Sequence, residues 1–272
     1  LNWKYKPFEI PKNILKEWNK IGIKGSKLET KWNKIYKNKK NKINEIFKNN
    51  FNKKINIEKK NAFKKIKNLA SRKSSELVLN SITKDNDSLI GGSADLAGSN
   101  NTKTKFHKII NSNNFDGNYI HYGVREHAMC GVMNGIALHS KFIPYGGTFL
   151  IFSDYSKPSI RLSALMGLKV IYIFSHDSIG LGEDGPTHQP IEQLTGLRAI
   201  PNLNVFRPAD INETLECWEI ALKSNGTPSA IALSRQKVPY INPKNTKENK
   251  CEKGAYIVNL TSHESKVTLV AS

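Results

Sequence analysis

Between residues 71 and 245, short apolar runs alternate with stretches of helical spacing, and this alternation limits the chain to one broad class of fold. Runs with strand character lie at Ser88 to Gly92, Tyr119 to Tyr122, Phe142 to Tyr145, Val170 to Phe174, Leu203 to Phe206 and Ser229 to Leu233. Helical spacing occupies Arg72 to Ser81, Glu126 to Ser140, Tyr155 to Met166 and Asp210 to Lys223. In the last of these, Ile211, Leu215, Trp218, Ala221 and Leu222 form one stripe, and Asp210 stands where a side chain can cap the first turn. Strands separated by helices pair in parallel, and a parallel sheet is stable only when both faces are covered. The expected fold is α/β, a mainly parallel sheet with helices on both faces.

Ligands of such sheets bind beyond the carboxyl ends of the strands. The polar residues of this chain concentrate there: Gly91 to Asp95, Gly123 to His127, Gly146 to Phe149, His176 to Ser178, Arg207 to Asp210 and Ser234 to Gln236. Each has an ordinary use by itself, since paired glycines make turns and a single histidine is usually structural. Together on one rim they point to a binding site. The segment Gly180 to Pro190 adds Glu183, Asp184 and His188 among glycines, and is expected to be a ligand-holding loop without an apolar anchor.

One carboxylate on this rim stands apart. In the octapeptide Tyr122-Gly123-Val124-Arg125-Glu126-His127-Ala128-Met129, Glu126 opens a run of small and apolar residues that continues to Leu138. An acid there is either a first-turn charge that complements the helix dipole or a functional group. Desolvation among small apolar neighbours makes a carboxyl hold its proton more tightly than in water, which suits acid–base work near neutrality.

The net charge of +19 is unevenly spread: residues 1 to 70 hold 21 Lys and 5 Glu, a net +16, leaving +3 for the rest. Lysines interleaved with aromatics, as in Lys31 to Lys40, can neutralise phosphate and stack on bases. The lack of Arg and the abundance of Asn argue against a nucleic-acid partner. Trp32, Ile35, Tyr36, Ile43, Ile46 and Phe47 fall near one helical face, so a solvated connecting helix is expected. Cys130, Cys217 and Cys251 show no paired spacing and no metal box, which fits a reducing cytoplasm. No apolar run approaches the length of a membrane span. The start at Leu1, and a final Val267 to Ser272 that reads as a strand just begun, suggest a piece of a longer protein.

Taken in order, Gly91-Gly92-Ser93-Ala94-Asp95-Leu96, the octapeptide, Pro144 to Phe149, His176 to Pro190, Phe206 to Asp210 and Ala232 to Gln236 resemble transketolase, a thiamine diphosphate enzyme family. The resemblance is to its central, pyrimidine-binding domain. It implies three parts: residues 1 to 70 as a Lys/Asn-rich helical linker after a diphosphate-binding domain, 71 to 245 as the pyrimidine-binding domain, and 246 to 272 as the start of a third domain. The family's Gly-Asp-Gly and Asn for diphosphate and metal have no match here, so no metal ligand is expected in this chain. Mg²⁺ or another divalent cation would be held through the preceding domain.

The resemblance also implies roles. Glu126 would bond N1′ of the cofactor aminopyrimidine and favour the imino tautomer that deprotonates the thiazolium. Phe149, Phe152 and Tyr155 would form the pyrimidine pocket, with Phe152 against the ring, and Asp95 would lie near the cofactor. Arg72, Ser99 and Arg235 would contact the phosphate of a sugar phosphate, His176 and Asp184 its hydroxyls, and His188 would bind near the reacting carbon and assist proton transfer. The implied reaction is reversible transfer of a two-carbon ketol unit from a ketose phosphate to an aldose phosphate, in the non-oxidative pentose phosphate pathway. The implied assembly is a homodimer with active sites between subunits, where Gly131 and Gly135 would let helices approach closely. A dihydroxyacetone synthase-like enzyme and a basic nucleic-acid-binding module are the alternatives. Arg125-Glu126-His127-Ala128-Met129 argues against deoxyxylulose phosphate synthase.

Overall fold

The computed structural model describes residues 3–48, 50–62, 68–241, 248–258 and 267–271. In chain order the elements are α1 (Lys12–Ile46), α2 (Phe51–Ala62), β1 (Asn68–Ala70), α3 (Ser71–Thr83), β2 (Leu89–Ser93) and α4 (Ala97–Asn100). There follow β3 (Tyr119–His121), α5 (Glu126–His139), β4 (Ile143–Phe149), α6 (Ser153–Leu165) and β5 (Ile171–Ser175). The last are α7 (Gln193–Arg198), β6 (Asn204–Phe206), α8 (Ile211–Lys223), β7 (Ser229–Leu233) and β8 (Lys237–Pro239). They form two compact units, Leu1–Lys48 and Asn49–Ser272.

The first unit is essentially α1, a 35-residue helix with no buried residue. Its stabilising contacts are local: Lys20 pairs with Glu17 at 2.7 Å, and Trp32 stacks on Tyr36 one turn later, with ring centroids 5.0 Å apart.

The second unit is built on a six-stranded sheet of order β3-β2-β4-β5-β7-β6, every pairing parallel. Alternation along the strands sorts side chains onto two faces. Ile171, Ile173, Ile231 and Leu233 join Val78, Leu79 and Trp218 in a core beneath α3 and α8. Tyr172, Phe174, Ala230 and Ala232 join Met129, Met133 and Ile160 in a second core beneath α5 and α6. The doubly covered parallel sheet is the architecture read from the sequence.

Helix α8 fills the centre of the first face. Its N-cap is Asp210, whose Oδ1 accepts from Glu213 N at 3.0 Å, and the five residues of its expected stripe are all buried. Trp218, fully buried, donates from Nε1 to Ser75 Oγ of α3 at 2.9 Å. Against the same helix lies α2, through Phe51, Ile55 and Lys59 on successive turns; Lys59 Nζ meets Glu219 Oε2 at 2.7 Å in a buried ion pair. Three-residue strands β1 and β8 pair antiparallel as a separate ribbon that the sequence pattern did not reveal. The strand expected at Val267 to Ser272 does not form over residues 267–271, which have no sheet partner and are exposed.

Candidate active site

Chain order reverses at β2: β3 lies on one side and β4 on the other, so the crevice beyond their carboxyl ends is the topological switch point of the sheet. Three non-glycine residues near this edge, Asp95, Asn101 and His176, adopt left-handed backbone with φ of 62°, 56° and 60°. Such conformations cost on the order of 1 kcal/mol or more each and cluster at functional sites.

The loop after β3 leads Glu126 into the crevice. Gly123 takes φ +68°, a conformation open to glycine, and Arg125 turns back so that Nη1 donates to Tyr122 O at 3.0 Å. Glu126 is then the first residue of α5, and it is buried. Its side-chain hydrogen bond among the described residues is a long one: Thr148 Oγ1 donates to Oε1 at 3.4 Å. A buried carboxylate normally fills its four acceptor positions with strong donors, and this one does not.

After β4 comes an aromatic row. Phe149 stacks on Phe152 with ring centroids 5.8 Å apart, and Phe152 faces Tyr155 at 5.9 Å. Burial falls along the row, from Phe149 (6% exposed) to Tyr155 (66%). His176 lies against Phe149, centroids 3.8 Å apart, and His188 is edge-on to Phe149 and Phe152 at 5.8 and 5.3 Å.

At the other end stand two guanidinium groups. Arg72 Nη1 donates to the main-chain oxygen of Ser99 at 2.7 Å, while its buried Nε has no hydrogen-bond partner among the described residues. Arg235 reaches Glu183 Oε1 at 3.2 Å. The Arg72 pKa is lowered by burial and then by Arg235, with Asp184 opposing, which places these charges within one electrostatic neighbourhood. His176 is pushed down to about 4, first by burial and then by Arg72, with Asp184 again opposing. It is neutral at neutral pH.

Thus Phe149, Phe152, Tyr155, His176 and His188 come into ring contact, and Arg72, Asp184 and Arg235 gather electrostatically around His176. Asp95 is exposed at its turn, and Ser99 joins the site through its carbonyl. The loop carrying Glu183, Asp184 and His188 does have an apolar anchor, contrary to expectation: Leu181, in the 3₁₀ turn Ile179–Leu181, is fully buried. Among the described residues, no three His, Cys, Asp or Glu side chains gather to hold a metal ion.

Two of the rim segments read from the sequence meet here: Asp177, buried, binds Arg207 Nε through Oδ2 at 2.8 Å. The sequence pattern passed over two further members of this edge. Asn100 and Ser175, both fully buried, meet with Ser175 Oγ donating to Asn100 Oδ1 at 2.6 Å. In a chain rich in Asn and Ser, only the fold distinguishes these two from solvated copies.

The family model described as "Transketolase, pyrimidine binding domain" matches residues 67–240, most of the chain. The chain belongs to the transketolase family. It is 46% identical over 278 residues to a transketolase of Sinorhizobium medicae, covering all of this chain and 40% of that protein. Among solved structures, transketolase from Campylobacter jejuni superposes with a TM-score of 0.75 at 41% identity, over 88% of this chain and 36% of that one. Transketolase from Pichia stipitis in complex with sedoheptulose 7-phosphate gives 0.71 at 38% identity, over 87% of this chain and 37% of that one. The chain therefore spans about two-fifths of the length of the transketolases it matches. No helix among the described residues is long and apolar enough to cross a membrane.

Proposed function

We propose that this chain supplies the pyrimidine-binding half of a transketolase active site, serving reversible two-carbon ketol transfer from a ketose phosphate to an aldose phosphate. The observation that carries this reading is Glu126: a buried carboxylate at the head of α5, beside the switch point, whose side-chain hydrogen bond among the described residues is long. The residues fit an aminopyrimidine, since the carboxylate has unspent capacity and the Phe149–Phe152 pair offers flat apolar faces. Thiamine diphosphate, when bound, supplies the carbanion chemistry. Glu126 holds or yields a proton at ring nitrogen N1′, while Phe152, with Phe149 and Tyr155 on either side, orients the ring. Asp95 borders the cofactor.

The substrate would lie along the row from His188 to the two arginines. His188 takes the donor's C1 hydroxyl and helps move its proton, and His176 and Asp184 take further hydroxyls. Arg72 and Arg235 grip the phosphate, with Ser99 beside them. The unpartnered buried Nε of Arg72 supports an anionic ligand, because a buried donor without an acceptor is costly until one arrives. Diphosphate and Mg²⁺ would be held by residues outside this chain, and the protein would work in the cytoplasm.

A second copy of the protein is the expected partner. Val132 and Leu138 of α5 are exposed, and a Cβ built at Gly131 or Gly135 meets nothing within 4 Å, so this face can receive a closely packed helix. Leucine at Gly131 or Gly135 should then weaken dimerisation.

The deciding experiment is a two-carbon transfer assay on the full-length protein. Glu126→Ala and Glu126→Gln are expected to lose roughly 10²- to 10⁴-fold in turnover at saturating thiamine diphosphate, the usual contribution of a positioned acid–base group. Undiminished turnover would sink the reading.

A further inference from the structure

We propose that Cys217 and Cys251 are a redox-closable pair: a small-molecule disulfide converts their two thiols into one disulfide, which staples the turn around Cys251 to α8. The two cysteines lie far apart in the chain, so their spacing gave no sign of this.

The pairing rests on how the turn is seated. Cys251 opens the 3₁₀ turn Cys251–Lys253, and Cα atoms of this turn and of α8 come within 8 Å of one another. The acids of α8 hold it there. Glu216 Oε2 accepts from Lys250 N at 2.9 Å and from Cys251 N at 3.0 Å. Asn249, buried, donates from Nδ2 to Glu216 O and to Glu219 Oε2, both at 3.0 Å. Beyond the turn, Tyr256 Oη donates to Glu213 Oε1. So seated, Cys251 Sγ points to the main-chain oxygen of Glu213 at 4.0 Å. In an α-helix that oxygen accepts from the amide four residues on, which is the amide of Cys217. The Cys251 sulfur therefore lies at the Cys217 position of the helix, and the two thiols act on each other as hydrogen-bond partners. Cys130 has no such neighbour, because it lies in the core beneath α5 and α6, across the sheet from α8.

The two thiols have different access. Cys217 is 2% exposed and Cys251 is half-buried. Burial raises the Cys217 thiol well above its usual range, and Cys251, Glu213 and Glu216 raise it further. Cys251 is accordingly the thiol that meets the oxidant and Cys217 the one that resolves. Cys251 loses its proton and attacks one sulfur of the small disulfide; that S–S bond breaks, one small thiol leaves, and a mixed disulfide remains. Cys217 then attacks Cys251 Sγ, the second small thiol leaves, and the Cys217–Cys251 bond forms. The protein loses two hydrogens and two electrons, and the small disulfide gains them as two thiols. A bond made and broken in this way is the kind of disulfide that a reducing compartment allows.

The test equilibrates the folded full-length protein with graded ratios of reduced and oxidised glutathione, alkylates the remaining thiols in denaturant, and maps the cysteines by mass spectrometry without reduction. The expected map shows the peptide carrying Cys217 joined to the peptide carrying Cys251 at oxidising ratios, with Cys130 alkylated throughout. Dithiothreitol should return both thiols. Cys217→Ala should instead collect glutathione on Cys251, since no second thiol is there to displace it. A protease that cuts within residues 248 to 258 should act on the linked form about tenfold more slowly, because the turn must leave α8 to be cleaved. Both thiols free at every ratio, glutathione held on Cys251 in the wild-type protein, or a linked form cut as fast as the reduced one would each overturn the proposal. If Cys217→Ala does not fold, the wild-type map still decides.

Discussion

His107 and His176 are both buried and both have pKa values lowered by burial, yet they stand in different surroundings. At His107 both nitrogens are engaged. Thr104 N donates to Nδ1 at 2.8 Å, so the hydrogen sits on Nε2, which reaches Tyr145 Oη at 3.0 Å; that hydroxyl donates onward to Thr102 O at 2.8 Å. At His176 the hydrogen bond among the described residues is made at Nδ1, with Ser175 Oγ at 2.9 Å, and the ring lies against Phe149. The first ring closes a network that braces the segment between β2 and β3 against β4. The second sits at the carboxyl end of β5, in ring contact with Phe149, among the residues of the candidate site. Burial and a low pKa are common to both, so neither property separates structure from function. The neighbours of each ring do.

The largest expected effect is on the structural ring. His107→Ala would strand the Thr104 amide and the Tyr145 hydroxyl and open a cavity, lowering stability by about 2–4 kcal/mol in urea denaturation. Two-carbon transfer by the fraction that remains folded should be unchanged, because both ring nitrogens of His107 are taken up by Thr104 and Tyr145. Next comes His176→Ala, expected to lower kcat/KM roughly ten- to hundredfold while costing about 1 kcal/mol of stability from lost ring contact with Phe149. If His176→Ala destabilised as His107→Ala does and left turnover intact, the contrast between the two histidines would be lost.

Neither network could be read from the sequence, although most of the fold could. Strands such as Ile171–Ser175 and Ser229–Leu233 announced themselves because a central parallel strand is apolar on both faces. Helix α8 was legible from its stripe and its cap. The ribbon of β1 and β8 was not, because each strand is three residues long and its partner is far away in the chain. Glu126 could be placed at a helix entrance from local pattern, but its long hydrogen bond to Thr148 depends on how β4 lies beside α5. Asn100, Ser175 and His107 carry no periodic signal; their meaning lies in which atom donates, and that requires neighbours from three separate segments. The leading helix is the reverse case. Its charge is obvious in the composition, yet α1 buries nothing, so composition says little about what it touches.

The smallest effect treats the two histidines alike and so sharpens what differs between them. Both have folded pKa values near 4, His107 through burial and then Lys103, His176 through burial and then Arg72. In the unfolded chain each titrates near 6.5. Between about 6.5 and 4 the unfolded state binds more protons than the folded state, so stability rises with pH across that window and is lost as the solution is acidified through it. Above 6.5 neither ring contributes a slope, and below about 4 the penalty levels off. The urea midpoint of the full-length protein should therefore fall on acidification from pH 7 to pH 4. His107→Asn sets a carboxamide oxygen where Nδ1 accepts, and His176→Asn sets a carboxamide beside Ser175. Each should remove part of that slope while keeping a polar partner at the Nδ1 position. The two substitutions should flatten the pH profile in the same sense, but only His176→Asn should raise KM, since only His176 belongs to the proposed substrate row. Equal changes in KM from the two variants would mean that His176 is not a ligand contact.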